Sequence, residues 1–181
     1  MKQYGGLVRI SGGEFRGRKI QTPGGSTHPM GERERLALFN IVQSQIEESS
    51  VLDLYCGGGT LGIEAMSRGA KNVTFVDKNA GAIAVTKENC KSLDLPPNKW
   101  GIFVSDAYEF SKTTSTLYDL VLADPPYDKY TEKMVNFLPG LVKDGGILIL
   151  SHPDEAPLLP GLKLQKTHSF AKANLSVYKK V

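Results

Sequence analysis

The chain has 181 residues, of which 40% are hydrophobic and 23% charged, and it carries a net charge of +3. These values are typical of a single globular domain and exclude disordered and fibrous proteins, and no apolar run approaches the roughly 18–20 residues of a bilayer span. Cys56 and Cys90 are too few for a disulfide framework or a four-cysteine zinc site, and residues 1–10 lack the apolar core of a signal peptide, so we expect a cytoplasmic protein with free thiols, no metal and no membrane partner.

Charge is distributed unevenly along the chain. Residues 1–20 have a net charge of +4 and residues 161–181 have +5, which leaves −6 for the residues between them. An acidic body with two basic ends favours contact with a polyanion, although charged ends that are merely solvated would give the same pattern.

The first predicted elements are two short strands at residues 7–10 and 18–20, joined by a glycine-rich turn. After a Pro-Gly-Gly break, apolar residues at steps of three and four predict a helix from about Gly31, with charged residues 32–35 in its first turn. Its apolar face consists of Leu36, Phe39, Val42 and Ile46. We expect residues 1–27 to form a basic hairpin extension and residues 28–181 to form the main domain.

From residue 51 onward, short apolar runs alternate with helical patterns. The runs lie at residues 51–55, 73–76, 102–104, 120–123 and 147–150, and the helical patterns lie at residues 61–68, 80–93, 107–112 and 130–142. Residues 162–166 and 175–178 then alternate like strands, with no helix between them. The order predicts an α/β, Rossmann-like fold with a doubly wound, mostly parallel seven-stranded sheet, a C-terminal antiparallel pair, and a small N-terminal β-hairpin and helix.

A glycine loop follows the first strand of the main domain. Residues 57–62 read G-G-G-T-L-G, which fits the pattern G-x-G-x-x-G between a predicted strand and a predicted helix. Glycines permit a tight turn and close approach of the backbone to a ligand. Asp77 lies 20 residues after Gly57, where an acid commonly accepts hydrogen bonds from ribose hydroxyls. The arrangement favours an adenosine cofactor over a plain glycine turn.

Two further acids indicate which adenosine cofactor this is. Asp53 lies four residues before Gly57, where its carboxylate would repel phosphates but suits a cationic ligand. S-adenosyl-L-methionine has an ammonium, a sulfonium and no phosphate, so the pattern favours it over NAD. Asp106, after the third strand, suits the adenine amino group and can equally cap the following helix.

The segment Asp124-Pro125-Pro126-Tyr127 ends the fourth apolar run, beyond which ligands of doubly wound folds bind. The prolines stiffen the backbone and remove N–H donors, so Asp124 and a proline carbonyl can accept both hydrogens of one amino group. Tyr127 offers an aromatic face to a planar base. Such a wall can direct a poorly nucleophilic amino group at an electrophilic methyl carbon. The structural alternative is a proline turn with a packing tyrosine.

The chain resembles class I S-adenosylmethionine-dependent methyltransferases of amino groups in V-L-D-L-Y-C-G-G-G-T-L-G-I-E-A-M-S-R-G-A, F-V-D-K-N, S-D-A and A-D-P-P-Y. It is similar to the RsmD family, the bacterial guanine-N2 methyltransferases of 16S ribosomal RNA, in R-I-S-G-G-E-F-R-G-R-K-I and E-R-L-A-L-F-N-I. The resemblance implies a methyltransferase domain over residues 28–181 and S-adenosyl-L-methionine as cofactor. It also implies a monomer that acts on ribosomal RNA, within the small subunit or its precursor.

The resemblance also implies roles for particular residues. The catalytic residues would be Asp124, Pro125, Pro126 and Tyr127, and the cofactor contacts would be Asp53, Tyr55, Gly57, Gly59, Asp77, Lys78, Asp106 and Ala107. The contacts to the RNA backbone would be Arg9, Arg16, Arg18 and Lys19. The chain departs from the family at Thr27-His28-Pro29-Met30, where T-R-P-T is usual, and at Phe170-Ala171, where a Tyr-Gly pair is usual. These departures affect the inference about which nucleotide is methylated more than the inference about the type of reaction.

We therefore predict methyl transfer to the exocyclic N2 amino group of a guanine in small-subunit ribosomal RNA, with the base splayed or flipped out of its stack. Two alternatives stay open, namely a DNA adenine-N6 methyltransferase and a non-catalytic RNA-binding assembly factor on the same fold. A protein glutamine methyltransferase would more typically have Asn at position 124, and an NAD enzyme fits poorly with Asp53.

Overall fold

A seven-stranded β-sheet forms the centre of the computed structural model, which describes residues 4–25, 30–127, 130–131, 133, 135–171 and 173–181. The strands, including those of an N-terminal hairpin, are β1 Tyr4–Arg9, β2 Lys19–Pro23, β3 Ser50–Leu54, β4 Asn72–Asp77, β5 Trp100–Val104, β6 Tyr118–Ala123, β7 Val142–His152, β8 Leu162–Ser169 and β9 Asn174–Lys180. The helices are α1 Glu32–Ile41, α2 Gln43–Ile46, α3 Thr60–Ser67, α4 Ala80–Ser92 and α5 Ala107–Thr113, with 3-10 helices at Pro97–Lys99 and Leu138–Leu141.

The strand order in the sheet is β5-β4-β3-β6-β7-β9-β8. All pairs from β5 to β7 are parallel, whereas β9 pairs antiparallel with both β7 and β8. This order confirms the predicted doubly wound sheet with its C-terminal antiparallel pair. The direction of winding reverses at β3, which has β4 on one side and β6 on the other, so a crevice opens at the carboxyl ends of β3 and β6.

Two hydrophobic cores lie on the two faces of the sheet. On the first face, α1, α3 and α4 cover fully buried side chains such as Val51, Phe75 and Leu120. On the second face, α5 and the 3-10 helix Leu138–Leu141 cover the second core, which includes Leu52. Because successive residues of β3 are buried on opposite faces, Val51, Leu52 and Leu54 are all apolar and the strand does not alternate between apolar and exposed polar residues. In the described part of the chain, no helix is long and apolar enough to cross a membrane.

The N-terminal hairpin packs on the first core. Strands β1 and β2 are antiparallel, as the sequence predicts, with Arg9 opposite Lys19. The side chains of Ile10 and Ile20 are 2% and 1% exposed and enter the core beside α1 and α3. The hairpin is therefore continuous with the main hydrophobic core, and the proposed division of the chain after residue 27 stays a prediction.

A buried polar cluster ties this hairpin to α1 and α3. The fully buried Glu64 carboxylate accepts hydrogen bonds from the N–H and hydroxyl of Ser11, at 2.9 and 2.6 Å, and from the Arg68 guanidinium, at 2.9 Å. Arg35 lies 3.7 Å from the same carboxylate and donates to the Arg9 carbonyl at 2.9 Å. One buried anion thus compensates two cations that come from different helices.

The helix predicted from about Gly31 differs from the observed one in two respects. Helix α1 ends at Ile41 and the short α2 follows, so one continuous helix does not form. Leu36, expected on the apolar face, is 37% exposed, whereas Arg35, expected among the charges of the first turn, is 2% exposed. The Glu64 carboxylate explains the burial of Arg35, because it compensates a cation that periodicity alone assigns to the surface.

The helix predicted over residues 130–142 is wrong in the described part of that segment. Residues 135–137 form a turn, Leu138–Leu141 forms a 3-10 helix, and β7 begins directly after it. Pro139 lacks the N–H that the interior of an α-helix needs, and Gly140 beside it disfavours helix further. Local backbone chemistry therefore overrides the apolar periodicity on which the prediction was based.

The buried cluster predicts a large effect of one substitution on stability. Replacing Glu64 by Ala leaves Arg35 and Arg68 without their shared anion, and we expect the free energy of unfolding to fall by about 3 kcal/mol or more. Urea unfolding followed by circular dichroism measures this change. Glu47→Ala, at an exposed position, is the matched control, and a similar loss in both variants would contradict a special role for the cluster.

Candidate functional site

Four acids predicted from the sequence lie at the carboxyl edge of four neighbouring strands. Asp53 lies near the end of β3, Asp77 ends β4, Asp106 follows β5 by two residues, and Asp124 follows β6 directly. The charges of Asp124 and Asp77 both contribute to raising the pKa of Asp53, as expected for carboxylates that lie close together. The sheet order thus brings the predicted cofactor and catalytic acids to one crevice.

The glycine loop between β3 and α3 is held by two of these acids. Gly57 and Gly59 have φ values of 54° and 78°, in the left-handed region that glycine adopts without strain. The Gly57 N–H donates to Asp77 Oδ2 at 2.9 Å, and the Gly62 N–H donates to Asp53 Oδ2 at 2.8 Å. Each carboxylate therefore binds one end of the loop and fixes its path around the crevice.

The two glycines serve different purposes. A Cβ atom on Gly59 would lie 2.7 Å from Thr86 Cγ2 and 3.2 Å from Phe75 Cε1, so the loop packs directly on α4 and β4. No described atom lies within 4 Å of the Cβ position of Gly57. The backbone at Gly57 therefore faces open space, which allows a ligand to approach it closely.

Burial governs the charge of Asp53. Its side chain is 1% exposed, and burial raises its pKa to about 8, opposed by the hydrogen bond from the Gly62 N–H and reinforced by the charges of Asp124 and Asp77. A phosphate beside this acid would be disfavoured, whereas a cation would stabilise its ionised form. The residues at the crevice therefore fit S-adenosyl-L-methionine, which has positive charges and no phosphate, and they do not fit a dinucleotide.

The other predicted cofactor residues surround the same loop. Asp77 Oδ1 accepts the Asn79 N–H at 2.8 Å, and a carboxylate can accept further hydrogen bonds from ribose hydroxyls. Asp106 accepts the Tyr108 N–H at 2.9 Å and caps α5, which confirms the capping role, while its exposed carboxylate leaves acceptor capacity for an adenine amino group. The remaining three candidates are the exposed Lys78, the half-buried Tyr55 and the buried Ala107.

The D-P-P-Y segment forms a hydrogen-bonded group with a serine from the next strand. The hydroxyls of Tyr127 and Ser151 hydrogen-bond to each other, and both side chains lie close enough to Asp124 to lower its pKa. Burial raises the pKa of Asp124 to about 6, and the hydrogen bonds from Ser151 and Tyr127 oppose that rise. Pro125 is buried and Pro126 is exposed, so the segment forms a wall with one face in the core. Asp124 is thus fixed in position and ionised at neutral pH.

Sequence reasoning missed two residues that hold the site together. Ser151, 1% exposed, lies near the carboxyl end of β7, and its position after an apolar run is the signal that could have identified it. Asn89 of α4 donates from Nδ2 to the carbonyls of Gln21 and Gly58, at 2.9 and 2.8 Å, and accepts the Gln21 N–H at 2.8 Å. No sequence signal identifies Asn89, because its partners lie about 30 and 70 residues away.

The structure brings together only some of the predicted RNA-binding residues. Arg9 and Lys19 are opposite each other in the hairpin and line a cavity of about 390 Å³ together with Met30. Arg16 is exposed in the turn, and Arg18 donates to the Ser92 carbonyl at 3.0 Å. Arg9, Lys19 and Arg16 therefore place positive charge at the turn end of the hairpin, and the cavity there is also lined by Glu32 at the start of α1.

In the first departure from the family motif, Thr27-His28-Pro29-Met30, residues 27–29 lie outside the described residues, whereas Met30 packs against the first core. The second departure, Phe170-Ala171, lies between β8 and β9, where Phe170 packs against the first core. The aromatic residue is therefore a packing residue at this position.

Comparison with known proteins gives consistent matches over the whole chain. A family model described as Conserved hypothetical protein 95 matches residues 8–179. Ribosomal RNA small subunit methyltransferase D of Escherichia coli K12 is 30% identical over 177 residues, covering 96% of this chain and 84% of the relative. The solved structure of yhhF from Escherichia coli superposes with a TM-score of 0.87 at 28% identity, covering 97% of this chain and 98% of that one.

A more distant structure shares the fold. The T. thermophilus 16S rRNA N2 G1207 methyltransferase (RsmC), solved with AdoMet and guanosine, has a TM-score of 0.69 at 18% identity. The match covers 97% of this chain and 50% of that chain. At this identity, the likeness establishes the fold alone.

The buried carboxyl of Asp53 predicts how stability depends on pH. Its pKa of about 8 in the folded chain lies above the value of about 3.9 for an unfolded aspartate. The folded state therefore binds the proton more tightly, and this group's contribution to stability is lost as the pH rises from about 4 to about 8. We expect Asp53→Asn to become progressively more stable than the wild type across that window, as measured by thermal unfolding without cofactor.

The exposed Asp144 provides the control for this measurement. The difference in unfolding midpoint between Asp144→Asn and the wild type gives the effect of removing an exposed carboxylate over the same pH range. An Asp53→Asn difference that changes with pH no more than this one would contradict the raised pKa of Asp53.

Proposed function

Because the chain belongs to the family described as Conserved hypothetical protein 95, the RsmD family, we propose that it methylates the exocyclic N2 amino group of a guanine in small-subunit ribosomal RNA. It is an S-adenosyl-L-methionine-dependent methyltransferase of ribosomal RNA. The observation that carries the finer proposal is the position of Asp124, which is half-buried at the carboxyl end of β6, next to β3 and its glycine loop, with Ser151 and Tyr127 beside it.

The residues of the crevice divide the work of holding the cofactor. When bound, S-adenosyl-L-methionine supplies an electrophilic methyl group on a positively charged sulfur. Asp53 compensates positive charge, Asp77 accepts hydrogen bonds from ribose hydroxyls, and Asp106 accepts one from the adenine amino group. The backbone at Gly57 lets the ligand lie against the loop without steric conflict.

Asp124 and the backbone of Pro125 orient the amino group of the base. Two acceptors fix both N–H bonds, so the nitrogen lone pair, otherwise delocalised into the ring, is directed at the methyl carbon. The carboxylate also stabilises the positive charge that develops on the nitrogen. With a pKa of about 6, Asp124 is ionised at neutral pH, and the released proton passes to it or to water.

Tyr127 fits the same proposal as a stacking partner for the base. Its hydroxyl is held by Ser151 and Asp124, so the ring cannot rotate freely and its orientation is set before the base arrives. A fixed aromatic ring loses little conformational entropy on stacking. Arg9 and Lys19 at the turn end of the hairpin supply cations for the RNA backbone.

Substitution of Asp124 tests the proposed reaction. Asp124→Asn keeps the shape but loses the charge, so we expect kcat to fall on the order of 100-fold or more, with little change in the cofactor dissociation constant. Methyl transfer is measured with labelled cofactor on small ribosomal subunits from cells that lack this protein, and digestion of the RNA identifies the methylated base. Calorimetry measures cofactor binding.

The same assay decides between the alternatives. Asp144→Asn should be as active as the wild type. Transfer to duplex DNA at adenine instead of to ribosomal RNA would replace the proposal with the DNA alternative. Cofactor binding without transfer to either, on particles that a known enzyme methylates, would favour the assembly factor.

Ser151→Ala tests the positioning of Asp124. The Ser151 hydrogen bond lowers the pKa of Asp124, so its loss should raise that pKa. In a plot of kcat against pH, the acidic limb should then move to higher pH. A general loss of structure would lower kcat at every pH without moving the limb, and that result would contradict the proposed role. Ser151→Thr, which keeps the hydroxyl, is the control.

A further inference from the structure

The basic C-terminal end of the chain forms an antiparallel pair at the edge of the sheet. In this pair, Lys163 of β8 lies directly opposite Lys179 of β9. Opposite residues of an antiparallel pair place their side chains on the same face, with Cβ atoms about 4.5–5.5 Å apart, and two like charges there destabilise the pair. Both lysines are exposed, so the arrangement concentrates positive charge on one face.

A register shift adds a third lysine to the same face. Residues three apart in a regular strand point to opposite faces, so Lys163 and Lys166 would be separated. The shift between Leu164 and Lys166 places Lys166 opposite Val177, and Val177 shares a face with Lys179. We call Lys163, Lys166 and Lys179 the basic stripe.

The basic stripe has no acidic partner in the described part of the chain. None of the four ion pairs found there includes a lysine of the stripe, and residues 161–181 contain no Asp or Glu. The exposed apolar residue of β8, Leu164, lies opposite Tyr178 and therefore on the other face. The face is thus cationic and polar, which suits a polyanion better than an apolar protein interface.

The basic stripe lies on the same side of the sheet as the hairpin and within reach of the crevice. Val177 belongs to the first core, on which the hairpin also packs. Val177 pairs with Ile149, which pairs with Leu122, two residues before Asp124. Lys166 is therefore three strand spacings, roughly 14 Å, from β6 across the sheet, and about two residues from Asp124 along the strand direction. An RNA that presents a base to Asp124 can extend over this face.

We propose that the basic stripe is a second RNA-binding surface, which holds the phosphate backbone of ribosomal RNA at a distance from the target nucleotide. This inference rests on the proposed action on ribosomal RNA. Lysines are point charges that contact phosphates without reading sequence, so the stripe contributes affinity and orientation rather than choice of base.

Salt dependence of binding tests this surface. Binding of transcribed 16S ribosomal RNA is measured by filter retention over a range of KCl concentrations for the wild type and for Lys163→Gln/Lys179→Gln. We expect the slope of log K against log [KCl] to decrease by about two, because two lysines no longer neutralise a phosphate each. The KM for small ribosomal subunits should rise on the order of tenfold at low salt, with kcat and the cofactor dissociation constant retained.

Two variants serve as controls. Lys71→Gln/Lys99→Gln removes the same charge from exposed residues that precede β4 and β5, at the opposite edge of the sheet, and its slope should equal that of the wild type. Lys163→Arg/Lys179→Arg keeps the charge and should also retain the slope, which separates charge from any structural change in the pair.

The outcomes distinguish this inference from the proposed function. An unchanged slope for Lys163→Gln/Lys179→Gln contradicts RNA binding by the basic stripe, even if the wild type is active. Weaker binding to subunits with unchanged binding to free RNA also overturns it and indicates a ribosomal protein as the partner. If the wild type transfers no methyl group but the slope still decreases in Lys163→Gln/Lys179→Gln, the result supports the RNA-binding surface and contradicts the proposed reaction.

Discussion

The burial of a carboxylate at the end of the central strand is the constraint on which the site depends. Asp53 is nearly inaccessible to solvent, and the described hydrogen bond that compensates it comes from the Gly62 N–H in the first turn of α3. That hydrogen bond sets where the helix begins, and the helix start in turn sets the path of the glycine loop. An acid in so dry a position is stable in its charged form only near a cation, so the architecture of the loop and its preference for a cationic ligand have one physical origin.

A second set of buried polar contacts joins the hairpin to this loop. Asn89 binds the backbone of Gln21 in β2 on one side and the carbonyl of Gly58 on the other. The Glu64 cluster fixes the other end of the hairpin against α1 and α3. Because buried hydrogen bonds are costly to leave unsatisfied, the cations of the hairpin are held rigidly relative to the crevice. Buried hydrogen bonds therefore link the surface proposed to meet RNA to the loop proposed to meet the cofactor.

The D-P-P-Y segment, proposed as the catalytic wall, also balances the burial of an acid against the groups that compensate it. Asp124 is less buried than Asp53. Asp124 is shielded enough to raise its pKa, yet the hydroxyls of Ser151 and Tyr127 keep that pKa below neutrality. Burial without compensating groups would leave Asp124 uncharged at neutral pH, whereas full exposure would let water compete for its hydrogen bonds. Two hydroxyls, one from the segment after β6 and one from β7, thus lower the pKa of one carboxyl group and favour its proposed contact with an amino group.

The strands of the sheet, the glycine loop, the four acids at its edge and the D-P-P-Y segment could be predicted from the sequence, because each depends on a short pattern whose chemistry is local. Which polar residues are buried, and what they contact, could not be predicted in this way. Arg35 is buried because Glu64 comes from another helix, and Ser151 reaches Asp124 because β7 pairs with β6. Likewise, Lys163 and Lys166 share a face because β8 changes register against β9. These features arise from contacts between segments distant in the chain, and periodicity within one segment does not encode them.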